Sequence, residues 1–262
     1  MSGAAGDRHG AVELRQLVTY LDAYLDVGQG ADHGPNGLQV EGRDRVAKLV
    51  TGVSACRELF RRAAESGADA VLVHHGLFWR GEPVSLTGFR YARVAELVRS
   101  GIALLAYHLP LDRHPVVGNN AVAARRFGLV DVAPFGEYEG QPIGCQGSFP
   151  RPLAARLLPE RCREVYGQEP TCFLAGPDPV RTLGIISGGA QREFHQAIGA
   201  GLDAYLTGEA SEWVMNVARE SSCHYLAAGH YATERLGVRA LGDHLAERFG
   251  LAVEFIDVPN PV

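Results

Sequence analysis

The strongest constraint on this chain is an internal repeat. LVTGVSACRELFRRAAESGADAVLV (49–73) lies without a gap on LGIISGGAQREFHQAIGAGLDAYLT (183–207). The identical pairs are Leu49/Leu183, Phe60/Phe194, Ala63/Ala197, Gly67/Gly201, Asp69/Asp203, Ala70/Ala204 and Leu72/Leu206. Each copy reads strand, helix, Gly-x-Asp-Ala, strand, because a stretch of helical period separates two apolar runs of strand length. A unit used twice predicts two similar α/β lobes. Convergence between unrelated strand–helix–strand units gives the same pattern, so the residues leave common ancestry open. The correspondence continues further on. SGIALLAYHLPLD (100–112) lies on SSCHYLAAGHYATE (221–234) so that His108 falls on His230 and Asp112 on Glu234. Each copy then closes a strand with a histidine and, four residues later, a carboxylate.

The rest of the chain keeps this rhythm. Helical spacing runs over residues 13–25, 56–67 and 91–101, and strand-like runs cover 38–40, 47–54, 68–76 and 102–108. Residues 130–182 are rich in Gly and Pro and predict short strands and loops. The expected organisation is a frayed tail over 1–10, a first α/β lobe over 11–129 and a second over 130–262. The helix and strand after about residue 235 are expected to pack back on the first lobe. The fold class is α/β, two similar lobes with a metal site in the cleft between them.

Composition narrows the function classes. No run approaches the ~20 apolar residues of a membrane helix, and the N-terminus MSGAAGDRHGA has no apolar signal core. A net charge of −5 argues against a dedicated nucleic-acid binder. The five cysteines are scattered, with no C-x-x-C pair, which argues against a disulfide framework or zinc ribbon and suits a reducing, cytoplasmic setting.

The candidate chemistry sits at the predicted strand ends. Adjacent strand residues point to opposite faces, so His74 and His75 serve one site only where their strand gives way to a loop, with Gly76 supplying backbone freedom. One buried and one exposed imidazole would explain the pair alone. Pro110 argues against a helix, which places Asp112 on a loop. Thr233 is a candidate helix cap, with Glu234 in the first turn, where the helix dipole by itself accounts for a carboxylate. Together His74, His75, Asp112, His230 and Glu234 suit Zn, Fe, Mn, Co or Ni better than Ca. They are too many for one catalytic zinc. Two divalent ions sharing a bridging carboxylate and an acidified water are the natural solution, which is the chemistry of hydrolysis.

These motifs resemble the Nif-three-like dinuclear-metal-centre family, often called GTP cyclohydrolase 1 type 2 homologues. The matching elements are Asn36-Gly37-Leu38-Gln39-Val40, Val73-His74-His75-Gly76-Leu77-Phe78-Trp79, His108-Leu-Pro-Leu-Asp112, Thr207-Gly208-Glu209, Ala228-Gly229-His230-Tyr231-Ala232-Thr233-Glu234 and a closing FIDVPNP. The resemblance implies two α/β lobes assembled as a toroidal homohexamer with its metal centres facing the cavity. It implies that His75 and Asp112 bind one metal, His74 and His230 the other, and Glu234 both. His108 is implied as a neighbour of the metals, less certainly a ligand, and the cyclohydrolase label implies GTP ring opening.

The expectation is therefore a metal-dependent hydrolase acting on a nucleotide-like or phosphorylated small molecule, with His108 a candidate proton-transfer partner. The alternative is a non-catalytic scaffold, metal-trafficking or regulatory protein. Arg80 and Glu82 are candidates for touching a substrate phosphate and a water, or are solvated loop charges. Ser187-Gly188-Gly189-Ala190 reads as a tight turn rather than a phosphate loop, since no Walker lysine accompanies it. Trp79 and Trp213 read as packing anchors. His33, His114, His195, His224 and His244 find no partner in the pattern, and His244 is expected to be exposed.

Overall fold

The computed structural model describes residues 10–262, so nearly all of the expected N-terminal tail lies outside the described residues. In chain order the elements begin with β1 (Val12–Glu13), α1 (Leu14–Tyr24), β2 (Gly37–Val40), β3 (Arg45–Val46), β4 (Lys48–Ser54) and α2 (Arg57–Glu65). Next come β5 (Ala70–His75), α3 (Gly88–Ser100), β6 (Ala103–Ala106), α4 (Leu109–Asp112) and α5 (Asn119–Phe127). The chain continues through β7 (Val130–Tyr138), β8 (Gln141–Leu153), α6 (Leu158–Tyr166), β9 (Thr171–Phe173), β10 (Val180–Ile185) and α7 (Phe194–Gly199). It closes with β11 (Ala204–Thr207), α8 (Val214–Ser221), β12 (His224–Ala227), α9 (His230–Phe249) and β13 (Ala252–Phe255). This is a mixed α/β fold with several sheets.

Two compact units divide the chain. One holds residues up to His108 with Val238–Val258, the other Leu109–Gly237 with Pro259–Val262. Position 129/130 falls inside the second unit, at the start of β7. The first unit has a sheet of order β13-β4-β5-β6-β2, in which β13, β4, β5 and β6 run parallel and β2 antiparallel. Its core gathers Leu59, Phe60, Val71, Val73, Leu97 and Leu104. The second unit has a sheet of order β7-β8-β10-β11-β12-β9, with β10, β11 and β12 parallel. Its core gathers Phe135, Phe194, Tyr205, Val214 and Tyr225. Among the described residues no helix is long and apolar enough to cross a membrane.

Each identical pair of the repeat has a physical use. Leu49, Phe60, Ala63, Ala70 and Leu72 are 0 % exposed, and so are Leu183, Phe194, Ala197, Ala204 and Leu206. Gly67 (φ 75°) and Gly201 (φ 69°) take the left-handed conformation after α2 and α7, which costs glycine little. There the chain turns back so that Ala68 N donates to Ala63 O and Leu202 N to Ala197 O, both at 3.0 Å. This is the Schellman helix ending. The aspartates tie neighbouring strands. Asp69 Oδ2 accepts Ala47 N and Lys48 N, each at 2.9 Å. Asp203 Oδ2 accepts Arg181 N at 2.7 Å and Thr182 N at 3.1 Å. The strand registers agree as well: Leu49 faces Ala70 as Leu183 faces Ala204.

The segment 130–182 departs from its expected short strands and loops. β8 is 13 residues long, and its Pro150 and Pro152 fall where its register against β10 shifts. A bulge spares them the ladder N–H that proline lacks. α6 is a helix that the Gly and Pro content masks. Its buried Leu158, Cys162, Val165 and Tyr166 follow helical steps, and Pro159 sits in the first turn, where its missing N–H costs nothing.

Removing either aspartate should destabilise the fold comparably. Hydrogen bonds to a charged group contribute about 1.5–3 kcal/mol, so Asp69→Ala and Asp203→Ala should each lower unfolding free energy by about that much in urea titrations. A neutral outcome at either position would show that the carboxylate does not fasten its strands.

Candidate functional site

In the first unit, β5 carries His74 and His75 at its carboxyl end, and the chain leaving β6 carries His108. Ligands gather at such strand ends in α/β sheets. His74 is fully buried and His75 half-buried. One nitrogen from each of His74, His75 and His108 lies within 4.8 Å of the others. The two adjacent histidines of the strand do converge, with ring centroids 4.8 Å apart. Gly76 has no positive φ, and what its missing side chain provides is room for Gln39. A Cβ there would meet the Gln39 side-chain amide at 2.3 Å, while Gln39 Oε1 accepts Leu77 N at 2.7 Å.

Hydrogen bonds set the tautomers. His74 Nδ1 lies 3.1 Å from Tyr107 O. A carbonyl only accepts, so Nδ1 carries the proton and Nε2 keeps a lone pair in the neutral ring. His108 Nδ1 donates to Asp32 Oδ1 at 2.6 Å, and its main-chain N–H is held by Asn36 Oδ1 at 2.8 Å. Burial opposes ionisation of Asp32, but His108, Asn36 and the His33 N–H overcome it and bring its carboxyl down to about 2. His75 Nδ1 meets Ser54 Oγ at 3.1 Å.

In the second unit His230 opens α9 and Glu234 lies one turn on. Residues four apart share a helix face, and His230 Nε2 is 3.1 Å from Glu234 Oε1. This corrects the expected helix start after Thr233, whose Oγ1 instead donates to His230 O and accepts Gly188 N. His230 Nδ1 donates to Glu209 Oε1 at 2.6 Å. Burial disfavours charge on the ring, yet Glu234 and Glu209 outweigh it and raise His230 to about 9. Negative charge that draws a proton to Nε2 also draws a metal cation.

Asp112 lies in α4, a helical turn rather than the expected loop. Pro110 is tolerated because first-turn N–H groups have no intrahelical partner. Asp112 Oδ1 accepts Asn119 Nδ2 at 2.8 Å and Ser187 Oγ at 2.9 Å. The Ser187–Ala190 segment bends at Gly188 and Gly189 and forms a cradle. A Cβ on Gly188 (φ +72°) would meet Glu234 Oε1 at 2.3 Å and His230 Nε2 at 3.2 Å. One on Gly208 would strike the His230 backbone at 2.6 Å.

Other residues sort differently. Arg80 donates to Asp32 O at 2.9 Å, and Glu82 pairs with Arg90 at 2.8 Å. Trp213 stacks on His195 at 5.1 Å, whereas Trp79 stands edge-on to His108 at 5.2 Å and 87°. His244 is half-buried rather than exposed, stacked on Tyr24 at 4.2 Å and bonded to Tyr20 Oη at 2.6 Å. Asp32, His33 and the anchoring role of Glu209 are missed by sequence reasoning. For Glu209 a signal exists, since it occupies the repeat position of His75.

Fold and site define a mixed α/β protein whose histidine and carboxylate groups can hold a metal ion. The family model Duf34/NIF3 (NGG1p interacting factor 3) matches residues 12–261, and the chain belongs to that family. A Pseudomonas aeruginosa protein named GTP cyclohydrolase 1 type 2 homolog is 47% identical over 251 residues, covering 96% of this chain and 99% of the relative. A Yersinia pestis protein of the same name is 44% identical over 247 residues, covering 94% and 98%. The solved structure of protein ybgI, described as of unknown function, superposes with a TM-score of 0.91 at 40% identity, covering 96% of this chain and 100% of that one. A Thermus thermophilus protein gives 0.87 at 39% identity, covering 96% and 100%.

Carboxylates that orient ligating imidazoles typically change metal affinity 10–100-fold. Glu209→Ala should weaken binding of Zn²⁺ or Mn²⁺ by about that factor in calorimetric titrations, with the circular dichroism spectrum unchanged. Equal affinity to the parent would deny Glu209 an orienting role. Gly188→Ala should also weaken metal binding, because its methyl enters the space of Glu234. Retained binding in that variant would mean that the cradle yields.

Proposed function

We propose that the chain holds two divalent metal ions through His74, His75, Asp112, His230 and Glu234 and hydrolyses a nucleotide-like or phosphorylated small molecule. His75 and Asp112 serve one ion, His74 and His230 the other, and Glu234 both. The observation that carries this reading is the orientation of the imidazoles. Nδ1 of His74 is bound by the Tyr107 carbonyl and Nδ1 of His230 by Glu209, so each presents Nε2 for ligation. Histidines that ligate metals almost always have their second nitrogen engaged in this way.

Mixed imidazole and carboxylate donors favour Zn, Fe, Mn, Co or Ni. Two such ions, when bound, supply Lewis-acid activation of water and charge neutralisation at the scissile group. The protein's own residues orient the ligands, and His108, backed by Asp32, is placed to pass a proton at Nε2. The names of the relatives support a GTP-like substrate. Membership of the family supports a homo-oligomer, read as a hexameric ring, acting in the cytoplasm. The matched aspartate and glycine bonds of the two units support an ancestral duplication.

Protein loaded with metal and then desalted should contain two ions per chain by plasma mass spectrometry, and His230→Ala should lose at least one. The loaded protein should turn over GTP or a member of a phosphoester panel, and chelator should abolish this. One ion or none in the parent would sink the dinuclear reading. Two ions without turnover would replace the hydrolase by a metal-holding scaffold, trafficking or regulatory protein.

A further inference from the structure

Within the first unit, the loop before β2 and the segment after β5 border an open cavity of about 480 Å³. Its walls include Asp32, His33, Pro35, Phe78, Trp79 and Arg80. Two of these belong to the surroundings of the histidine cluster. Asp32 holds His108 at 2.6 Å, and the Trp79 ring lies 5.2 Å from that of His108 and 5.7 Å from that of His75. The cavity is pre-formed, because its two loops are laced together. Arg80 N donates to His33 O at 2.6 Å, Arg80 Nη2 donates to Asp32 O, and Gly34 passes so close that a Cβ would meet Phe78 O at 2.3 Å.

The composition of the walls specifies a ligand. Pockets that bind small molecules combine apolar and aromatic surface with a few placed polar groups. Phe78 is 36 % exposed, a large aromatic left in the open beside polar residues. Aromatic walls suit a flat ring, and a guanidinium with five N–H donors, one of them used by Asp32 O, suits a phosphate.

We infer that this cavity binds the heteroaromatic ring of a phosphorylated ligand, with Trp79 as its stacking partner and Arg80 as its phosphate contact. It is the recognition half of the site, adjoining His75 and His108 rather than containing them. The inference rests on the hydrolase reading only for the reaction that follows binding.

Trp213→Phe leaves Trp79 as the sole tryptophan of two, and its emission reports the cavity directly. Guanosine monophosphate and guanosine should both quench it, in chelator-treated and metal-loaded protein alike, and ribose 5-phosphate should not. Measured by calorimetry, which needs no tryptophan, Trp79→Leu should raise the Kd for guanosine monophosphate about tenfold, since stacking on an aromatic side chain is worth that much, while Trp79→Phe should largely retain it. Arg80→Gln should weaken the monophosphate and spare guanosine. Quenching by ribose 5-phosphate alone, by none of the three, or an unchanged Kd in Trp79→Leu would overturn the inference. Metal content read on the same samples separates the two ideas. Two bound ions without ring binding would remove this inference alone, and ring binding to a chain that never takes up metal would remove the hydrolase alone.

Discussion

Everything at the site depends on the registration of parallel strands, and one carboxylate in each unit sets it. Asp69 stands just before β5 and takes the N–H groups of Ala47 and Lys48 at the start of β4. Asp203 does the same for β10 and β11. Parallel strands are joined by a helix and not a tight turn, so no hairpin fixes their pairing. A slip of one residue would exchange the two faces of the strand. In β5 that would turn His74, which is 0 % exposed, away from the side it shares with Tyr107 O. The bond at one end of the strand thus governs the chemistry at the other.

A second layer of control lies in what stands behind each imidazole. Tyr107 O, Asp32 and Glu209 engage Nδ1 of His74, His108 and His230 respectively. Each choice leaves the same atom, Nε2, for the working face. Glycines allow the necessary proximity: Gly76 for the Gln39 amide, and Gly188 for Glu234 and His230. A methyl at either position would occupy space that the site already fills.

Much of this was legible in the sequence. The repeat predicted two strand–helix–strand units, and all seven of its identical pairs have structural work in the fold. The histidines were placed at strand ends, and those of the first unit do gather. The errors lie where local rules compete with helix ends. Pro110 reads as a helix breaker, yet it is harmless in a first turn. Thr233 reads as a cap, yet α9 begins at His230, which moves Glu234 from the first turn to the second. α6 was hidden by the Gly and Pro around it.

The α/β rhythm and the donor types are both written in spacing along the chain. Periods of two and of three to four residues are local, as is a histidine at the end of an apolar run. Which groups support those donors follows from the fold in three dimensions. Asp32 lies 76 residues from His108, and no periodicity joins them. The folded loop brings that carboxylate to Nδ1, and the same loop lines the open cavity beside Trp79. Long-range hydrogen bonds depend on where the chain reverses in space, and spacing along one strand or helix holds no record of that.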